Sequence, residues 1–160
     1  MKKLNFLGIG PKIAIVLLPW LAATIILSCT KHELFKFGNG GSNILLIPGI
    51  MLMVLGLGFY FSTVRLLLKG LKETRLVTSG TYNLCQNPLY ASLILFIIPA
   101  LSLLLNSWLI LTSSLIGYIL FKIYIKKEYN ELETFFGENY LKYKRETPEF
   151  FPLPLKRWFS

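Results

Sequence analysis

The chain has 160 residues, 54% of them hydrophobic, a mean hydropathy of +0.57 and a formal net charge of +9. The length suits one domain, and the apolarity excludes an ordinary water-soluble one. In a soluble protein such a charge would suggest nucleic acid; here the basic residues follow a membrane pattern, so no nucleic-acid partner is expected.

Lys2, Lys3 and Lys12 precede a first apolar run at residues 13–29. Pro11 suits a first helical turn, where its missing N–H costs nothing, and Pro19 predicts a kink. Ile26-Leu27-Ser28-Cys29 loosely resembles a lipoprotein processing site, but Leu27 stands where a small residue is usual, so the run is read as a retained helix. The glycine-rich stretch at 37–42 reads as a flexible external connector. Lone His32 has no partner ligands nearby in sequence, and no metal is expected.

The second run, 44–68, carries Gly49, Gly56 and Gly58, small residues that let membrane helices approach closely. Arg65, Lys69 and Lys72 are expected to leave the bilayer along its surface with their cations snorkelling. A polar stretch follows. Thr78-Ser79-Gly80 is a turn leading to Tyr82, and Asn87-Pro88 is a helix-start signal. Free N–H groups at that start suit a carboxylate or phosphate, although a capped helix end is the simpler reading.

The third and fourth runs, 89–105 and 108–125, are joined only by Asn106-Ser107, which predicts an antiparallel hairpin. No Gly or Pro interrupts residues 118–136. A single helix over 108–136 would be about 43 Å long at ~1.5 Å per residue, against a hydrocarbon core of about 30 Å. Its end projects from the bilayer with Glu128, Tyr129, Glu131 and Glu133. Glu128 shares a face with Leu132, and Tyr129 with Glu133. Gly137 is a natural stop, residues 138–145 read as a short amphipathic helix, and Pro148, Pro152 and Pro154 force an extended tail. Phe150, Phe151, Trp158 and Phe159 are expected at the membrane interface.

The four runs meet the ~17–25 residues of a spanning helix and do not alternate as strands do. The expected fold is all-α and polytopic: one integral-membrane domain over residues 1–160, spans near 13–29, 44–68, 89–105 and 108–125, a helix 3–4 hairpin and a cytoplasmic extension over 126–160. Cations cluster before the first run, between the second and third, and after the fourth. The positive-inside rule therefore puts both termini and residues 65–88 in the cytoplasm, of a bacterial inner membrane or an endoplasmic-reticulum-type membrane. That basic rim suits anionic headgroups of the lipid bilayer. Cys29 and Cys85 fall on opposite faces, so no disulfide is expected.

Three groups of residues in the second half of the chain carry a resemblance. The first is Leu76-Val-Thr-Ser-Gly80-x-Tyr82 with Asn87-Pro88-Leu89-Tyr90. The second is a Glu-led helix with Leu132 and Phe136-Gly137-Glu138-x-Tyr140-x-x-Tyr143. The third is Arg145-x-Thr147-Pro148-x-Phe150-x-Pro152. In order and spacing this resembles the isoprenylcysteine carboxyl methyltransferase and phospholipid methyltransferase family of integral-membrane enzymes. The resemblance implies S-adenosylmethionine as methyl donor on the cytoplasmic side and a lipophilic methyl acceptor, lipid-like or prenylated-cysteine-like, reaching the site from the bilayer. It implies cofactor binding by Gly80, Tyr82, Gln86, Asn87, Pro88, Tyr90 and Glu128, and catalytic roles for Glu128, Tyr129 and Tyr90. The family pattern has Arg-His-Pro or Arg-Asn-Pro where this chain has Gln86-Asn87-Pro88, and adjacent acids where it has Glu128-Tyr129. Two other readings fit a similar tail: an NADPH-dependent membrane reductase of the steroid-reductase type, and a catalytically degenerate membrane interaction protein.

Overall fold

The computed structural model describes residues 8–38 and 42–152, without the side chains of residues 42 and 43. The glycines and Asn of the 39–41 connector, Pro154, Trp158 and Phe159 lie outside the described residues, as do Lys2 and Lys3. Among the described residues the secondary structure is helical throughout. α1 spans Gly10–Thr30, α2 is a single turn at His32–Phe35, and α3 spans Ser42–Lys72. α4 (Pro88–Ala91), a π-helical stretch (Ser92–Ile97) and α5 (Ile98–Leu104) together form one apolar helix. α6 spans Leu111–Phe136 and α7 Glu138–Glu146.

Three helical stretches are long and apolar enough to cross a membrane: Gly10–Thr30, Ile44–Lys72 and Trp108–Phe136. Pro88–Leu104 is shorter. At ~1.5 Å per residue its 17 residues reach about 26 Å, just under a ~30 Å hydrocarbon core. Pro99 explains the π-helical stretch before it: proline has no N–H to give and its ring crowds the preceding turn, so the helix widens there. α3 continues to Lys72 without a break, so the basic run lengthens the helix instead of turning along the surface.

Large apolar side chains point outward along the three long helices, among them Ile15, Leu18 and Ile26 on α1, Ile47, Met51 and Val54 on α3, and Leu115, Ile119 and Ile123 on α6. Outward faces this apolar suit hydrocarbon and not water. Inside, small and polar side chains set the packing. Between α1 and the chain from Ser107 into α6, Ser28 Oγ lies 2.7 Å from Ser107 Oγ and Thr24 Oγ1 3.3 Å from Ser113 Oγ, all four side chains being buried. Between α3 and the apolar helix, glycine does the work: a Cβ on Gly56 would sit 2.7 Å from the Phe96 Cβ, and one on Gly49 3.0 Å from Leu104 Cδ2. Asn106, at φ 45°, turns the chain between α5 and α6, closed by Ser107 N–H to the Ser102 carbonyl at 2.9 Å. Asn tolerates this left-handed conformation better than most residues.

Gly137 ends α6 at φ 54° and its N–H reaches the Glu133 carbonyl. The tail then folds back. Phe150 is 3% exposed, its ring 4.9 Å from that of Phe121, so it belongs to the core and not to the membrane interface; Phe151 is exposed. The Gln86 N–H donates to the Pro148 carbonyl at 2.9 Å, binding the tail to the first polar stretch.

The two glycines of α3 give a direct test. Gly56→Val should cost about 1–3 kcal/mol through overpacking, whereas a Cβ on Gly58 meets nothing within 4 Å and Gly58→Val should be silent. Thermal unfolding in detergent distinguishes them: a clear fall in midpoint for the first and none for the second.

Candidate functional site

A cavity of about 220 Å³ lies where the two polar stretches meet. One wall is the end of α3 and the chain after it, Leu67 to Val77. The second is Tyr82 and the start of α4, Gln86 to Tyr90. The third is the last turns of α6, Glu128 to Phe136, with Tyr140 and Tyr143 of α7. Gly8 and Gly10, at the head of α1, complete it.

Seven of the eight residues singled out from sequence line this cavity: Tyr82, Gln86, Asn87, Pro88, Tyr90, Glu128 and Tyr129. Gly80 does not. It sits at φ 63°, and a Cβ there would come 2.6 Å from Leu66 Cδ1, so it packs the turn against α3. Asn87 occupies the N-cap position before Pro88, but its side chain makes no capping bond. Instead its Nδ2 donates to the Tyr129 hydroxyl at 2.6 Å and to the Glu149 carbonyl at 2.9 Å. The helix-start N–H groups thus keep no side-chain cap from Asn87.

Glu128 is held from the N-terminal side. The Ile9 N–H donates to Glu128 Oε2 at 3.1 Å, and a Cβ on Gly8 would lie 2.7 Å from that oxygen. Gly8 also has φ 50°, so glycine meets two demands there. The Tyr90 hydroxyl interacts with the same carboxylate, and a Cβ on Gly10 would lie 3.9 Å from that hydroxyl.

Gln86 is the base of the cavity's tie to the tail. Its Nε2 donates to the carbonyls of Lys144 (3.1 Å) and Thr147 (2.6 Å), leaving Oε1 buried without a partner. The Tyr140 hydroxyl is also buried and unpartnered, in a residue only 1% exposed. Each such group costs about 1–3 kcal/mol if nothing satisfies it. Both groups belong to residues that line the cavity.

Burial pushes the Cys85 thiol up to about 12, the Asn87 N–H pulling the other way. Burial also raises the phenols of Tyr82, Tyr140 and Tyr143. The Glu128 carboxylate adds to the rise at Tyr82 and Tyr140, and Cys85 at Tyr143. These phenols are neutral hydrogen-bonding groups, as the Tyr143 hydroxyl shows by donating to the Tyr82 carbonyl at 2.7 Å.

Residues 42–134 match the model of the Isoprenylcysteine carboxyl methyltransferase (ICMT) family, more than half of the chain. The chain belongs to the isoprenylcysteine carboxyl methyltransferase family. It is also 36% identical over 77 residues to the Protein-S-isoprenylcysteine O-methyltransferase of Xenopus laevis. That stretch is 48% of this chain and 27% of the relative, so the chain spans about a quarter of the relative's length. The family-matched residues supply Tyr82, Asn87, Tyr90 and Glu128. Gly8, Gly10, Tyr140 and Tyr143 lie outside the match and close the cavity around them. Sequence reasoning missed the two N-terminal glycines. Tyr140 and Tyr143 stood in the family motif and were not assigned to the site; their spacing on α7 was the available signal.

Two outcomes follow. Gly8→Ala should break the Ile9–Glu128 contact and lower the thermal midpoint, while Gly58→Ala, where a Cβ meets nothing within 4 Å, lacks that contact and should perturb less. Cys85 should resist alkylation. In a Cys29→Ser background its thiol should stay unlabelled near pH 8 and react on denaturation. Because the folded state keeps this proton, Cys85 contributes stability that is full below the ordinary value of 9.0 and is lost as pH rises through about 12.

Proposed function

We propose that this protein is an S-adenosylmethionine-dependent membrane methyltransferase whose acceptor is a lipid-like or prenylated-cysteine-like molecule. The observation that carries this reading is the cavity that Asn87, Tyr90 and Glu128 of the family-matched stretch line together with Tyr140. The cavity's chemistry fits the donor. Glu128 can accept from ribose hydroxyls or an ammonium, and the orphaned Gln86 Oε1 and Tyr140 hydroxyl offer an acceptor and a donor. Tyrosine ring faces suit a sulfonium cation. When bound, S-adenosylmethionine supplies an already activated methyl group to the acceptor's nucleophilic atom. The protein's share is to position the reactants and exclude water.

In this reading Gly80 and Tyr82 shape the donor loop, with Gly80 acting through Leu66. Asn87, Pro88 and the start of α4 hold the donor's polar end. Tyr90 lines the pocket, and Glu128 binds a hydroxyl or amino group. A carboxylate acceptor needs no general base. An amine acceptor would lose a proton, and Glu128, Tyr129 and Tyr90 are the groups within the cavity that can take part. We read four crossings, with Pro88–Leu104 as the third and a hairpin to α6, which would leave both termini on one side; the charge distribution supports the cytoplasmic face for them and for the cavity. The apolar cavity residues Leu67, Leu71, Leu132 and Phe136 suit a lipophilic acceptor arriving from the bilayer.

The test is calorimetry with S-adenosylhomocysteine in detergent, followed by transfer of labelled methyl groups into a membrane lipid extract or a farnesylcysteine. Wild type should bind, and Glu128→Ala and Asn87→Ala should each weaken binding by tenfold or more, about 1.4 kcal/mol. Binding that is unchanged in both variants removes these residues from the site. Binding of NADPH in place of the homocysteine compound favours a reductase.

A further inference from the structure

Glu149 lies outside the family-matched residues, yet it bonds to two residues that line the cavity, Asn87 and Tyr129. The hydrogen-bond geometry can be counted proton by proton. Asn87 Nδ2 has two hydrogens and two acceptors, the Tyr129 hydroxyl at 2.6 Å and the Glu149 carbonyl at 2.9 Å. A carbonyl only accepts, so the amide nitrogen must face that way. Both amide hydrogens are then used, and the Tyr129 oxygen is the acceptor of one. Its own hydrogen goes to Glu149 Oε1, 3.3 Å away. Glu149 Oε2 in turn receives Lys122 Nζ at 2.6 Å, which fixes the carboxylate from its other side.

The consequence lies in what Tyr129 shows the cavity. With its hydrogen given to Glu149, the hydroxyl can present only a lone pair. Lys144 Nζ lies over one face of its ring, 5.1 Å from the centroid, and Tyr129 is one of the residues that line the cavity. A lone pair is attracted to positive charge and to the polarised C–H groups around it. A hydroxyl free to turn its hydrogen inward would lose that preference.

We propose that Glu149 is a positioning residue that locks the Tyr129 hydroxyl as an acceptor, so that the cavity favours a sulfonium over the neutral thioether. This rests on the methyltransferase reading. It assigns to the tail a part in donor discrimination, which lets the spent neutral product leave more readily than the charged donor.

The experiment compares dissociation constants for S-adenosylmethionine and S-adenosylhomocysteine, by calorimetry on the full chain in detergent, with no acceptor present. Wild type should prefer the sulfonium. Tyr129→Phe should reduce the ratio of the two constants about fivefold, the size of one net hydrogen bond. Glu149→Ala should do the same, and the double variant should do no more than either alone. Glu149→Gln should keep most of the ratio, because the amide oxygen can accept the same hydrogen. Should Glu149→Ala not fold, Lys122→Met leaves the carboxylate in place but unanchored, and should lower the ratio in the same direction. The proposal is overturned if Glu149→Ala (or Lys122→Met in its stead) weakens both ligands equally, if the two changes add, or if Glu149→Gln behaves like Glu149→Ala. Wild-type binding of neither ligand brings down the methyltransferase reading itself, an outcome distinct from all of these.

Discussion

Asn87 gives away both of its amide hydrogens, one to the Tyr129 hydroxyl on α6 and one to the Glu149 carbonyl in the tail. Three stretches far apart in sequence are joined at that side chain, which is 5% exposed. A buried amide left unpaired would be costly, so the site holds together only while all three stretches are in place. The rest of the arrangement follows. The tail is drawn onto the helix bundle, Phe150 packs against Phe121, Gln86 reaches Lys144 and Thr147, and α7 closes the cavity with Tyr140. Hydrocarbon cannot solvate these groups, and that drives them to one another at one end of the helices.

The two positions that differ from the family pattern take on specific structural work. Where the pattern has arginine, Gln86 binds the tail through Nε2, and its Oε1 is buried without a partner. A guanidinium has no acceptor and would present only donors there. Where the pattern has a second acid, Tyr129 stands within hydrogen-bonding distance of the Glu149 carboxylate. A negative charge is therefore still present near that point, carried by the tail and anchored by Lys122. Neither change leaves a hole. Both side chains bond to the tail.

Much of this was legible in sequence because it rests on local rules. Pro88 at a helix start, Gly137 at φ 54° as a stop and the α7 helix near 138–145 came from caps and breakers. The long apolar runs came from composition, and α6 runs unbroken to Phe136 as the absence of Gly and Pro implied. What was not legible depends on partners distant in sequence. The 119-residue separation between Ile9 and Glu128 leaves no periodic mark. Phe150 reads as an interfacial aromatic until Phe121 and Tyr118 are seen around it. Asn87 has the residue type and place of an N-cap, and only the positions of Tyr129 and Glu149 show that its side chain goes elsewhere. The π-helical stretch was hidden for a different reason: Pro99 signals a disturbance but not which of several adjustments relieves it.

The proposed function requires that the two polar stretches form one donor pocket between the start of α4 and the end of α6. An experimental structure of the protein with S-adenosylhomocysteine tests it most directly. The account predicts ligand density bounded by Asn87, Glu128 and Tyr140, with Gln86 Oε1 and the Tyr140 hydroxyl both hydrogen-bonded to it. Density at any other place, with those two groups still unpartnered, would contradict it.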